Sequence, residues 1–362
     1  MSIDASTDRS DALVERLFGA TLGALELYSV FLGAELGLYR ALEQHGPLTE
    51  AALAEHAAIA PRYAREWLEQ QAVAGYLEVD EPSDAAEERR YALAPDHARV
   101  LGHPDDLAHA APFAHMIVGV GGVMPEVAEA YRSGGGVPYE RYGRAFRHGQ
   151  GALNRPAFTH ELPAAWLGAM PDVAERLRAA GARVGDLGCG QGWSSAAMAR
   201  AYPLARVDGI DLDAGSIADA QRLAADAGLD DRLRFIEGGA ERLEAEGPYD
   251  LVLILEALHD MAHPREALEA ARRALAPGGT LLLVDERVEE AFTAPGDEVE
   301  RFMYGWSVTH CLPSGLAEEH SEACGTVLRE GTVRELAAAA GFAGVEVLPV
   351  ENDFFRLYRM DR

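Results

Sequence analysis

The spacing of hydrophobic positions changes twice along the chain. From about residue 10, the run ALVERLFGATLGALELYSVFLGAELGLYRALEQHG repeats apolar residues at three- and four-residue steps, the period of one helical face. In the next stretch Thr49 is placed to cap a short helix and Pro61 to open another. The segment GYLEVDEPSDAAEERRYALAP then reads as two short strands around a polar loop. Helices followed by a β-ribbon predict a winged-helix domain over residues 1–100. Residues 101–165 are mostly helical in pattern, broken by SGGGVPYERYG and continuing through LNRPAFTHELPAAWL. From residue 166 to 362 the period alternates. RVGDLG, RVDGID, LRFIEG, YDLVLILEA, TLLLVDE and VEVLPV are strand-like runs separated by helical ones, and FFRLYRM follows almost directly. This alternation predicts an α/β domain with a mainly parallel sheet covered by helices on both faces, its last strand antiparallel at or near an edge. No run approaches the ~18 uninterrupted apolar residues of a membrane span, and the start MSIDASTDRSD is unlike a signal peptide, so a soluble cytoplasmic protein is expected.

Composition narrows the function. With 362 residues, 48% of them hydrophobic, the chain can build two or three cores. Its three cysteines, Cys189, Cys311 and Cys324, form no CxxC pair and suggest no disulfide framework. The net charge is −27, and every basic residue is arginine. Within residues 1–100, 8 Arg face 18 Asp or Glu, and the would-be recognition helix PRYAREWLEQQAVAG balances two arginines with two glutamates. A winged helix so charged lacks the basic footprint of a DNA reader, and no nucleic-acid partner is expected.

The strand ARVGDLG runs straight into CGQGWSSAAMARAYP. A strand-to-helix turn this tight calls for Gly188, Gly190 and Gly192, and the following helix offers free N–H groups to a ligand. The next strand ends at Asp211, 25 residues after Asp186, where a carboxylate can accept both hydroxyls of a ribose. A dinucleotide fingerprint would need glycine at 193, where Trp193 stands. Asp186 would repel a pyrophosphate but suits an ammonium or sulfonium.

At this point the chain resembles the class I methyltransferases, whose first motif is D-x-G-x-G-x-G: here Asp186, Gly188, Gly190 and Gly192. The resemblance implies a Rossmann-like seven-stranded sheet, S-adenosyl-L-methionine as cofactor, and ribose on Asp211. It also implies cofactor contacts from Cys189, Trp193, Ser194, Leu212, Gly239, Ala240 and Glu256. The family's G-D-A adenine signature reads Gly238, Gly239, Ala240 here, so the carboxylate expected at 239 is missing. A backbone carbonyl, a water or Glu241 must then serve the adenine.

The strand DLVLILEA delivers His259 and Asp260 to the ligand-binding edge of the sheet. Methyl transfer needs a positioned, deprotonated nucleophile, and an imidazole can remove a hydroxyl proton. The stretch LHDM resembles the H-D-W segment of plant-type small-molecule O-methyltransferases, with Met261 in place of tryptophan. In those enzymes the histidine is the base and a glutamate at the end of the next strand orients it. His259 matches the first and Glu286 the second, with Asp285 its close competitor; Asp260 is the third catalytic candidate. His259 and His263 are spaced H-x-x-x-H, but Pro264 follows at once and no HExxH is present, so no metal is expected.

An insertion at about 290–328 would roof the site. Its Tyr304, Trp306 and His310, with Tyr139 and Tyr142 from the middle region, suit an apolar acceptor pocket or serve as core contacts. His310 is a second candidate base. Over nearly its whole length the chain resembles bacterial methyltransferases, common in actinobacteria, that carry an N-terminal winged helix. That resemblance implies a small-molecule acceptor and dimerisation through the winged helix. The apolar first helix likewise predicts a symmetric homodimer. Two rivals stand beside methylation: a cofactor-binding decarboxylase, hydroxylase or pericyclase on the same fold, and a winged-helix regulator.

Overall fold

A computed structural model describes residues 5–81 and 85–362. The chain forms two compact units, Met1–Val118 and Gly119–Arg362. The boundary falls inside the helix Pro112–Ser133, so the helical middle region is shared between the two.

The first unit holds helices Ala5–Glu35, Leu38–His45, Glu50–Ala57, Pro61–Val73 and Pro95–Gly102. Its ribbon pairs β1 (Glu78–Glu81) antiparallel with β2 (Arg90–Ala92). Thr49 caps as expected: its hydroxyl accepts the Ala52 N–H at 3.4 Å, and Pro61 opens the next helix. Leu38, Leu42, Leu53, Trp67, Leu68 and Tyr91 fill the core.

The first helix departs from the sequence expectation. Within Arg9–Glu35 an 18-residue window has mean hydropathy 1.5, so the helix is long and apolar enough to cross a membrane by length and composition alone. Only 11% of that window is buried, and Leu13, Leu17, Phe18 and Leu25 are each more than half exposed.

The second unit carries a seven-stranded sheet, β3 (Arg183–Leu187), β4 (Arg206–Asp211), β5 (Leu233–Glu237), β6 (Tyr249–Leu255), β7 (Leu275–Glu286), β8 (Glu346–Val347) and β9 (Phe355–Asp361). The order is β5-β4-β3-β6-β7-β9-β8. β3 to β7 run parallel; β9 is antiparallel to β7 and to the two-residue β8, one place in from the edge. The centre of the sheet is apolar on both faces, with Leu251 and Leu253 packing into one layer and Val252 and Ile254 into the other. The order in which strands are laid down reverses between the parallel strands β3 and β6, which opens a crevice at their carboxyl ends.

Candidate active site

A cavity of about 710 Å³ lies in that crevice. Its floor begins with the turn after β3. The N–H groups of Gly188 and Cys189 both donate to the Ile210 carbonyl, at 2.8 and 3.1 Å, which ties the turn to β4. Gly188, Gly190 and Gly192 all have positive φ, at 76°, 52° and 80°. A Cβ on Gly188 would meet Ala257 at 2.6 Å and one on Gly192 would meet the Phe235 ring at 2.4 Å. Nothing lies within 4 Å of the same point on Gly190, which lines the cavity. Two of these glycines thus serve packing, and the third leaves room for a ligand against the backbone.

Asp186 is buried behind the turn, where its Oδ2 accepts the hydroxyls of Ser194 and Ser195, each at 2.6 Å. It anchors the helix Trp193–Ala201; Asp186, Gly192 and Ser194 are not on the cavity wall, whereas Cys189, Trp193 and Leu212 are. Arg155 stacks over the Trp193 ring at 4.2 Å, which gives the residue in the place of a fourth glycine a packing role.

Asp211 lines the cavity with both oxygens already oriented. Oδ2 accepts the Gly190 N–H at 2.8 Å and Oδ1 the Asp213 N–H at 2.9 Å. Burial pushes its carboxyl up to about 6 against the pull of those two N–H groups. Each oxygen keeps a lone pair for a ribose hydroxyl.

At the end of β5 the absent carboxylate is replaced from two residues along. Glu241 Oε1 accepts the Gly239 N–H at 3.0 Å, and its Oε2 lies 2.7 Å from where a Cβ on Gly239 would be. Glu241 therefore puts a carboxylate in the space an aspartate at 239 would fill. Gly239, Ala240 and Glu241 all face the cavity. The open turn, the oriented ribose acceptor and this carboxylate fit an adenosine-bearing ligand.

Glu256 follows β6 directly in a left-handed conformation (φ 51°), and the next turn presents Ala257, Asp260 and Met261 to the cavity. His259 is 4% exposed and not on the wall. Its Nδ1 lies 2.9 Å from Asp285 Oδ1, and its Nε2 3.5 Å from Asp260 Oδ1. Asp285, not Glu286, thus holds the imidazole: β7 directs alternate side chains to opposite faces, and Asp285 falls on the side of His259. Glu286 stays buried beside Glu256. Burial alone would favour a neutral imidazole, but the Asp285 and Asp260 carboxylates outweigh it and raise the proton affinity of His259. Glu256 and Glu286 are both raised, first by burial; each other's charge adds to this for Glu286.

Of the five aromatic residues expected at an acceptor, Tyr139 lines the cavity; its hydroxyl donates to Gln150 at 2.9 Å. Tyr142, Trp306 and His310 pack around Phe146 instead. His310 stacks on Phe146 at 4.1 Å, the Tyr142 hydroxyl donates to the Thr309 carbonyl at 3.0 Å, and Tyr304 points to the outer surface, 38% exposed. Burial drops His310 to about 4. The helix Gly143–His160 adds wall residues that sequence reasoning missed: Arg147, Gln150 and Asn154, the last hydrogen-bonded to Glu256. The LNRP segment, which holds Asn154 but neither of the other two, was the one visible signal.

A methyltransferase domain model matches residues 184–279, and an Rv2258c-like winged HTH domain model matches residues 23–103. The ubiquinone biosynthesis O-methyltransferase of Maricaulis maris is 32% identical over 181 residues, covering 48% of this chain and 66% of that protein. For other curated relatives the matched share of their length is smaller, such as 45% of the same-named Pseudomonas entomophila protein, 36% identical over 107 residues. Among solved structures, an O-methyltransferase-like protein from Nostoc punctiforme aligns with TM-score 0.67 at 19% identity over 96% of this chain and 98% of its own. Human N-acetylserotonin methyltransferase, solved with SAM, aligns with TM-score 0.64 at 18% identity over 100% and 99%. These structures share the fold across both units. The chain joins an N-terminal winged helix-turn-helix domain to a methyltransferase domain of the class I type.

Proposed function

We propose that this protein is an S-adenosyl-L-methionine-dependent methyltransferase acting on an oxygen of a small neutral or cationic acceptor. The observation that carries the reading is the Gly188–Gly192 turn tied to β4, with Asp211 oriented by the Gly190 N–H beside the open face of that glycine. Asp211 would hold the ribose, Glu241 the adenine, and the glycine turn the methionine moiety. The cofactor supplies an electrophilic methyl group on its sulfonium. The acceptor's charge is read from the wall, which carries nine acidic side chains, among them Glu140, Asp260 and Glu318, against the arginines Arg147 and Arg273; Glu256, raised to about 8 by burial, adds little to that charge. Such a field disfavours a carboxylate- or phosphate-bearing acceptor.

The chain's own residues supply the proton acceptor. Asp260 spans from the cavity wall to His259 Nε2, and Asp285 fixes the far side of the ring. A hydroxyl bound near Asp260 would give up its proton to the Asp260–His259 pair, which Asp285 holds in place. Incubation with labelled cofactor and a panel of phenols and enols tests the reading. His259→Ala should lower turnover by about 10²- to 10⁴-fold and leave S-adenosylhomocysteine affinity within a few-fold. Unchanged turnover removes the histidine. Tight cofactor binding with no acceptor methylated favours a non-methylating enzyme on this fold.

The partner that fits the first helix is a second copy of the chain, covering its exposed leucines in a symmetric dimer. A monomer in light scattering at micromolar concentration overturns this. A DNA partner is disfavoured by the recognition-like helix itself: Arg62 pairs with Glu66, and Arg65 is held in a fork by Glu50.

A further inference from the structure

We infer that this protein binds a single zinc-type divalent cation through His259, Asp260 and Cys311, and that the ion blocks the proton path of the proposed reaction. A ring nitrogen of His259, a carboxylate oxygen of Asp260 and the Cys311 Sγ lie within 4.8 Å of one another. Imidazole, carboxylate and thiolate on three corners are a donor set for zinc, whose catalytic-type sites leave the fourth corner open. The open corner is the cavity side, because Asp260 is on the wall and gives an ion its way in.

Two further observations point to a cation here. Nδ1 of His259 is bound to Asp285 at 2.9 Å, and Asp285 Oδ1 also accepts the Glu286 N–H at 3.0 Å. That arrangement leaves Nε2 as the ligating nitrogen and is the outer-sphere support that metal-bound histidines have. Around it, Glu256, Asp260, Asp285 and Glu286 each bury an oxygen with no hydrogen-bond partner. Asp285 and Glu286 are themselves 0% and 7% exposed. Burial raises Glu256 and Glu286, which are carried as neutral acids, so the two carboxylates that a cation at Nε2 would complement are Asp260 and Asp285 on either side of the buried imidazole. The linear sequence hides the site because Cys311 comes from the lid insertion, 51 residues beyond Asp260.

Binding expels the Cys311 thiol proton, and the proton on Nε2 where the ring carries one, and leaves the ion with thiolate, carboxylate and imidazole. His259 Nε2 and Asp260 are then occupied and cannot accept the acceptor's proton. The site stands on geometry alone; the inhibition rests on the methyltransferase reading above.

The test titrates Co²⁺ into full-length protein prepared with chelator and a reductant that does not bind metal. We expect a thiolate-to-cobalt charge-transfer band and tetrahedral visible bands that saturate at one ion per chain. Zn²⁺ should displace the spectrum and inhibit turnover. Cys311→Ser should abolish the charge-transfer band and weaken metal affinity by about 10-fold or more. Asp285→Asn, which leaves all three ligands in place, should weaken Co²⁺ binding in the same direction. The absence of a thiolate band in the wild-type protein overturns the site, as does a band that survives Cys311→Ser. A one-to-one thiolate band in a protein that methylates no acceptor upholds the site and counts against the function; methylation indifferent to bound zinc overturns the blocked proton path.

Discussion

Protonation of Asp211 offers the sharpest test of the cofactor site. Its carboxylate is oriented by two backbone N–H groups and raised to about 6 by burial. The ionised form is the one that accepts two ribose hydroxyls, so affinity is retained above pH 6 and falls as the group protonates. With one group titrating at about 6, roughly ten of eleven molecules carry the proton at pH 5 and about one in eleven at pH 7, so affinity should fall about 10-fold, or ~1.4 kcal/mol. Calorimetric titration with S-adenosylhomocysteine across that range measures it directly, because the ligand's own amine and carboxylate do not titrate there. In Asp211→Asn the single amide oxygen can face only one of the Gly190 and Asp213 N–H groups. The amide NH₂ then faces the other donor. With at least one charge-assisted hydrogen bond to the ribose lost, at about 1.5–3 kcal/mol, affinity at pH 7.5 should drop about 10- to 100-fold. The residual binding should no longer weaken between pH 7 and 5. A flat profile in the wild-type protein, or an unchanged slope in the variant, would refute the assignment of this carboxylate to the ribose.

The two neighbouring glycines should separate folding from binding. Gly192→Ala drives a Cβ to 2.4 Å from Phe235 in left-handed backbone, so calorimetry should show a loss of about 2–5 kcal/mol in stability. Gly190→Ala, with open space at its Cβ, should cost about 1–2 kcal/mol in stability but weaken S-adenosylhomocysteine binding far more than its small melting shift implies. Glu241→Gln keeps an oxygen for the Gly239 N–H while removing the second carboxylate oxygen, and should reduce S-adenosylhomocysteine affinity about 3- to 30-fold by fluorescence titration. Paired acceptors differing only by an amine or a carboxylate substituent should show higher kcat/KM for the amine; the opposite order would contradict the reading of the acidic wall.

The sheet and the winged helix were legible because both depend on periodicity. The seven strand-like runs correspond to β3–β9, and even the reversed last strand could be read from its missing crossover. The turn was legible because only glycine adopts its backbone, although the sequence could not tell which glycines make room for packing and which for a ligand. Side-chain roles were harder to read. Asp186 looked like a ligand contact and proves to anchor a helix through two serines. Asp285 and Glu286 are adjacent and acidic, and only strand register decides which one reaches His259. The lid aromatics could be read as pocket lining or as core contacts; Trp306 and His310 prove to be core, packed around Phe146, because the surface that buries them comes from a helix some 160 residues earlier. Arg147 and Gln150 carried no signal until the fold brought their helix to the cavity wall.

The bond from the Gly190 N–H to Asp211 also bears on how the ligand enters. Because the turn after β3 and the acid at the end of β4 hold each other, the ribose acceptor is pre-organised before any ligand is present. Little ordering remains for the encounter to bring about, so less of the contact energy is spent on it. Ligand exchange on this half of the cavity should therefore be fast and leave the backbone nearly still. Any slow step would belong to the lid side, where the wall is built from the insertion.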